Sequence, residues 1–87
     1  MPRSSQSQRL LSLSNNEYAF GFTLYNLHKN LGAICRESEA SEARVTLHTG
    51  DGSPYDVIFR EGSIFVESDR GFSEMNNAIQ PFIDQFG

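Results

Sequence analysis

Between Arg44 and Ser68, apolar and polar residues alternate in three short runs separated by turn-forming residues. A period of two marks half-buried strands, so the stretch predicts a three-stranded antiparallel meander. The second turn sets its register. Glu61-Gly62 is a two-residue hairpin loop, and its glycine takes positive φ without steric cost. Arg60 then lies opposite Ser63, Ile58 opposite Phe65 and Asp56 opposite Glu67. On the other face Phe59 meets Ile64, Val57 meets Val66 and Tyr55 meets Ser68. One face is apolar and the other mixed, as a sheet covered on one side requires.

The first strand reads Arg44 to Thr49. Parity decides the loop that follows, because a slip of one residue exchanges the two faces of a strand. A five-residue loop, Gly50 to Pro54, sets Leu47 beside Val57 and Val45 beside Phe59, with Pro54 outside the ladder. The expected core face is Val45, Phe59 and Ile64, then Leu47, Val57 and Val66. The expected outer face carries Thr46, Ile58 and Phe65 in one row and His48, Asp56 and Glu67 in the next. The outer strands Arg44–Thr49 and Ser63–Ser68 would each leave one edge of backbone unpaired.

On either side the period changes to that of a helix. Ser14-Asn15-Asn16-Glu17 reads as a capping box. Phe20, Leu24, Leu27, Leu31 and Ile34 then recur at spacings of four, three, four and three. They predict a helix from about Asn16 to Arg36, with Gly32 an early stop. Tyr18, Phe20, Phe22 and Leu24 also alternate, which is a strand signal. Tyr18, Phe22 and Tyr25 fall off the helical stripe and are free to cover the sheet edge or to face a partner. Glu37 to Ala43 reads as a solvated linker, because acids oppose a helix C-terminus. After a turn at Asp69-Arg70-Gly71, Ser73 is the expected N-cap of a second helix. Its stripe is Phe72, Met75, Ile79, Phe82, Ile83 and Phe86, and Pro81 is expected to kink or break it.

The class that results is α+β, a helix, a three-stranded meander and a helix. It forms a single domain over residues 14–87, preceded by a tail, residues 1–13, read as flexible from its Ser, Gln and Arg content. The chain has 87 residues and a net charge of −4. Arg3 and Arg9 make residues 1–16 basic. Residues 17–87 carry all eleven acids against Lys29, Arg36, Arg44, Arg60 and Arg70, a net of −6. An acidic folded part repels phosphate backbones. One cysteine, Cys35, rules out an intrachain disulfide and fits a reducing compartment, so a cytoplasmic location is expected.

The order of elements resembles that of double-stranded-RNA-binding domains. Such domains grip phosphates with a basic cluster at the start of the second helix. Here that stretch is Gly71, Phe72, Ser73, Glu74, Met75, Asn76 and Asn77, with no lysine. The resemblance therefore implies a topology and not the activity.

Candidate chemistry is sparse. A row of His48, Asp56 and Glu67 would place one imidazole beside two carboxylates, able to hold a divalent metal or move a proton. The ordinary reading of the same row is a charge-balanced solvated face. His28 and Cys35 stand two helical turns apart, too far for a direct hydrogen bond. Gly50-Asp51-Gly52-Ser53 lacks the lysine of a phosphate loop. No catalytic residue, cofactor or metal is assigned. The favoured function is a non-enzymatic protein-binding module: an adaptor, an oligomerising accessory protein, or a small inhibitor of a larger protein or nucleoprotein complex, such as phage inhibitors of host defence. Its expected interface is Ile58, Phe65 and Thr46 on the outer face, with Tyr18, Phe22 and Tyr25 on the helix. The expected partner is a protein with a basic surface, or a second copy in a homodimer, with nucleic acid and membrane disfavoured. The alternatives are nucleic-acid association through the Arg3/Arg9 tail, and a small metal-binding protein or enzyme using His48, Asp56 and Glu67.

Overall fold

The computed structural model describes Leu10 and residues 12–87. Arg3, Arg9 and Leu11, and with them most of the expected tail, lie outside the described residues. Helix α1 spans Asn15–Ser38 and is followed by β1 (Glu42–His48), β2 (Pro54–Arg60), β3 (Ser63–Ser68), β4 (Gly71–Glu74) and α2 (Asn76–Phe86). The class is α+β, with one antiparallel sheet in the order β1-β2-β3-β4. Both helices lie on one face of it. The strand count is four, not three, so β3 is an inner strand and the edges are β1 and β4.

The capping box forms as the sequence implies. Ser14 Oγ accepts from the Glu17 amide at 3.1 Å, and the Ser14 amide donates to the Glu17 carboxylate at 2.9 Å. The helix then passes through both glycines and ends where Glu39 adopts a left-handed conformation, φ 55°, letting the Ala40 amide reach the Cys35 carbonyl. Neither glycine stops it, because each lies where something presses close. A Cβ on Gly21 would stand 2.7 Å from Cε2 of Phe82 and 3.1 Å from the Ala78 carbonyl oxygen; one on Gly32 would stand 3.2 Å from Cζ of Phe59. The propensity lost at these sites is offset by packing that only a bare backbone allows.

In the β2–β3 hairpin Glu61 and Gly62 both take positive φ, 50° and 83°, the geometry of a tight two-residue turn. The expected pairs Arg60–Ser63, Phe59–Ile64, Ile58–Phe65, Val57–Val66 and Asp56–Glu67 are present, while the expected Tyr55–Ser68 pair lies beyond the end of the ladder. The β1–β2 loop also has five residues, but they are Thr49 to Ser53, one place earlier than expected. Its side chains explain the shift. The Thr49 amide donates to the Ser53 carbonyl, the Thr49 hydroxyl donates to Asp51, and Asp51 accepts the Ser53 amide. Thr49 is thus spent on the turn. β1 slides by two residues, which preserves its faces but pairs Leu47 with Tyr55 and Val45 with Val57. Pro54 becomes the first residue of β2. Its N–H-less edge points beyond the end of β3, where no ladder bond is lost.

β4 takes Phe72 and Ser73 out of the expected second helix. Asp69-Arg70 turns the chain, the Ser68 hydroxyl accepts the Arg70 amide, and Phe72 joins the outer face of the sheet. Asn76 begins α2 and clasps it to β3: its Oδ1 accepts the Ile64 amide at 2.9 Å while its Nδ2 donates to Ser63 Oγ. The helix runs unbroken through Pro81. Pro81 has no N–H to donate to the carbonyl of Asn77 one turn back, and Asn77 is exposed.

Leu24, Tyr25, Leu31, Val57, Ile64, Ile79 and Phe82 form the core between sheet and helices, and Leu10 and Leu13 pack against it. No helix among the described residues is long and apolar enough to cross a membrane.

Gly21→Ala tests the close approach. Overpacking a filled site costs about 1–3 kcal/mol, while exchanging Gly for Ala inside a helix gains about 1. The fully buried Phe82 ring and a backbone carbonyl cannot both move aside, so urea denaturation should show a net loss of about 1 kcal/mol. A more stable variant would mean the ring gives way freely.

Candidate protein interface

The residues singled out by sequence lie on two separate surfaces. Ile58, Phe65 and Thr46 are on the open face of the sheet, away from the helices. Tyr18, Phe22 and Tyr25 are on the flank of α1 that meets α2.

On the open face Ile58 is directed outward as expected, yet it is fully buried. Its cross-strand neighbours are Arg44 on one side and Phe65 on the other. Arg60 lies 5.7 Å over the Phe65 ring, and Phe65 stacks on Phe72 at 5.2 Å. Long side chains can cover apolar surface with their stems while their charges stay wet. The predicted exposed pair Ile58/Phe65 is therefore a small satellite core, and Phe72 is its exposed member.

The row of His48, Asp56 and Glu67 does not form. The two-residue slide puts His48 opposite Pro54 and Thr46 opposite Asp56. Arg44 takes the space between the acids, bonding Asp56 at 2.7 Å and Glu67 at 3.0 Å, while Thr46 donates to Asp56 at 2.7 Å. These bonds, Thr46's first and then Arg44's, hold the Asp56 carboxyl below the ordinary aspartate value. No group of three metal-capable side chains occurs among the described residues. His28 donates from Nε2 to the Gly62 carbonyl at 2.9 Å and packs edge-on against Phe59; Cys35 is buried. A cleft of about 420 Å³ lies where the β1–β2 loop nears the β3–β4 turn, with Phe20, Tyr55 and Val66 among its apolar lining.

The helix seam is the larger feature. Tyr18, Phe22 and Tyr25 on α1 meet Phe82 and Phe86 on α2, each set at spacings that stack side chains along one helix flank. Phe82 is the fully buried hub. Tyr18 meets it edge-on at 5.1 Å, Phe22 lies 5.9 Å away and Tyr25 stacks at 6.0 Å. Phe86 closes the cluster against Phe22 at 6.3 Å and Tyr25 at 6.1 Å. Tyr25 is buried and is capped by the Lys29 ammonium 5.0 Å above its ring. Tyr18, Phe22 and Phe86 remain 38%, 40% and 52% exposed. Neighbouring exposed rings on a buried aromatic base have the make-up of an interface anchor. Sequence reasoning found the α1 half from residues off the stripe. It missed Phe86, whose place in the α2 stripe marked it for the core.

No protein-family model, curated protein or solved structure matches the chain.

Asp51 gives the acid behaviour a test. Its hydrogen bonds, Thr49's first and then Ser53's, lower its pKa from 3.8 to about 2. A lowered carboxylate stabilises the fold fully above the unfolded value and ceases to do so as pH falls through the folded one. Between pH 3.8 and about 2 the melting temperature should fall more steeply for wild type than for Asp51→Asn. Parallel curves would show that the loop does not need the charge.

Proposed function

We propose that the protein is a non-enzymatic protein-binding module whose contact surface is the aromatic seam of Tyr18, Phe22 and Phe86. The observation that carries this is three neighbouring aromatic rings left half-exposed on a rigid base. Rings of this kind, fixed in place before contact, lose little entropy on binding and dominate interface energetics. The groups that would otherwise support catalysis have structural work: Asp51 in its loop, Asp56 and Glu67 on Arg44, His28 on Gly62. The acidic excess of residues 17–87 favours a partner with a basic surround, which speeds encounter and excludes acidic competitors. The adaptor and small-inhibitor roles both fit such a surface. A cytoplasmic location accords with the single unpaired cysteine.

A photo-crosslinking amino acid placed at Phe22 or at Phe86 should capture one common protein in the native host. The same probe at Phe72, on the open sheet face, should not. Phe22→Glu should abolish that capture while far-UV circular dichroism stays unchanged, because the ring is already half in water. Capture from Phe72 alone would move the interface to the sheet and end the seam reading.

A further inference from the structure

We propose that β1 pairs antiparallel with β1 of a second copy, across a two-fold axis at Val45, fusing the two four-stranded sheets into one. This is independent of the aromatic seam.

The two sheet edges are not alike. β4 has four residues and starts at a glycine, a short edge of the kind that resists added strands. β1 has seven residues, an unbroken register from Glu42–Arg60 to His48–Pro54, and no proline or lysine. It carries none of the usual devices that block an edge, apart from charges on the outer face.

Parity shows which groups are free for pairing. The Thr49 amide bonds inward to Ser53, and successive residues of a strand alternate direction. Ala43, Val45 and Leu47 therefore bond to β2. The N–H and C=O groups of Glu42, Arg44, Thr46 and His48 point away from the sheet.

This row pairs with itself over its full length in one register. Centred on Val45, an antiparallel copy sets Arg44 opposite Thr46 and Glu42 opposite His48, and every outward backbone group gains a partner. Centring on Arg44 would oppose two guanidinium groups; centring on Thr46 would strand Glu42 beyond the pairing and set Arg44 against His48. Like charges directly opposite each other destabilise a pair, and only the Val45 centre pairs the strand over its full length from Glu42 to His48, so the two together select that register. On the helix side the same register lays Val45 on Val45 and Leu47 on Ala43, covering residues that are half-buried in the single chain.

Helix α1 supplies the second observation. One of its flanks, with Gly21 and Tyr25, meets α2, while α2 itself packs on β3. By helical spacing Leu27 and Ile34 lie on the opposite flank, over the β1 side. Ile34 is 51% exposed there. Edge pairing brings two such flanks together about the axis, giving Ile34 an apolar neighbour.

The test is sedimentation equilibrium on the full chain. Wild type should show roughly twice the chain mass of 9.8 kDa. Thr46→Pro removes an outward N–H that no ladder bond within the chain uses, so it should give a folded monomer. Ile34→Lys, at an exposed site, should weaken the dimer by about ten-fold or more through charges facing across the axis. Val45→Cys should cross-link to its own copy under mild oxidation, since non-hydrogen-bonded pairs bring Cα atoms to about 4.5 Å, within disulfide range. If Thr46→Pro unfolds, Ile34→Lys and the cross-link decide. A monomeric wild type, a dimer mass unmoved by the variants, or a dimer dissociated by Phe22→Glu would each overturn the proposal. The last would place self-association on the seam.

Discussion

Phe82 on Gly21 is the contact from which the helix layer is built. A side chain at position 21 would hold the helices apart, because its first carbon would meet both the ring and the backbone of α2. With glycine there, Phe82 is driven fully into the core with Tyr25 stacked on it, while Tyr18, Phe22 and Phe86 stay part-exposed around them. Tyr18 and Phe22 are carried to the surface by the helical turn that brings Gly21 inward, and Phe86 by its place one turn beyond Phe82. The exposed seam is thus the outer rim of a packed cluster. Its base is the buried core ring of Phe82.

Much of this was readable from local chemistry. The capping box and the Glu61-Gly62 hairpin depend on residues within one turn of each other, so sequence and structure agree on them. The long α1 stripe prevailed over the alternation of residues 18–24 for the same reason: a longer period satisfied by more residues. What the pattern misplaced depended on contacts from elsewhere. Phe72 lies three residues from Met75 and fits a helical stripe. Pairing with Glu67 on β3 and stacking on Phe65 hold it in a strand instead, after the turn at Asp69-Arg70-Gly71. His48 was one row out because Thr49, β-branched and strand-like by propensity, spends its amide and hydroxyl on the loop. Gly32 looked like a stop because the Phe59 ring that presses on it comes from another strand.

The outer face of the sheet shows how charge can hide an apolar pair. Arg44 bridges two acids that would otherwise repel, and its stem helps cover Ile58. The salt bridges are half-exposed, so each contributes little by Coulomb attraction alone. Their larger effect is geometric, because they hold the arginine flat against the sheet. Ile58 is an interior residue on an exterior face, and mutation of Arg44 would act partly through lost packing.

Helix α1 separates two of the molecule's open surfaces on its two flanks. The flank toward α2 carries Tyr18 and Phe22, and the flank toward β1 carries Leu27 and Ile34. A helix diameter of about 10 Å separates them, so occupancy of one leaves the other free. Association at the β1 edge would set two aromatic seams on the far sides of a continuous sheet, facing away from the axis. Two identical sites on a rigid frame bind a repetitive or two-fold target with an effective concentration set by the frame, and avidity follows without any new contact. A lone globular partner would gain nothing from the pairing. If the seam and the β1 edge are both used as proposed, the geometry of α1 suits the pair to a target that presents its own binding surface at least twice.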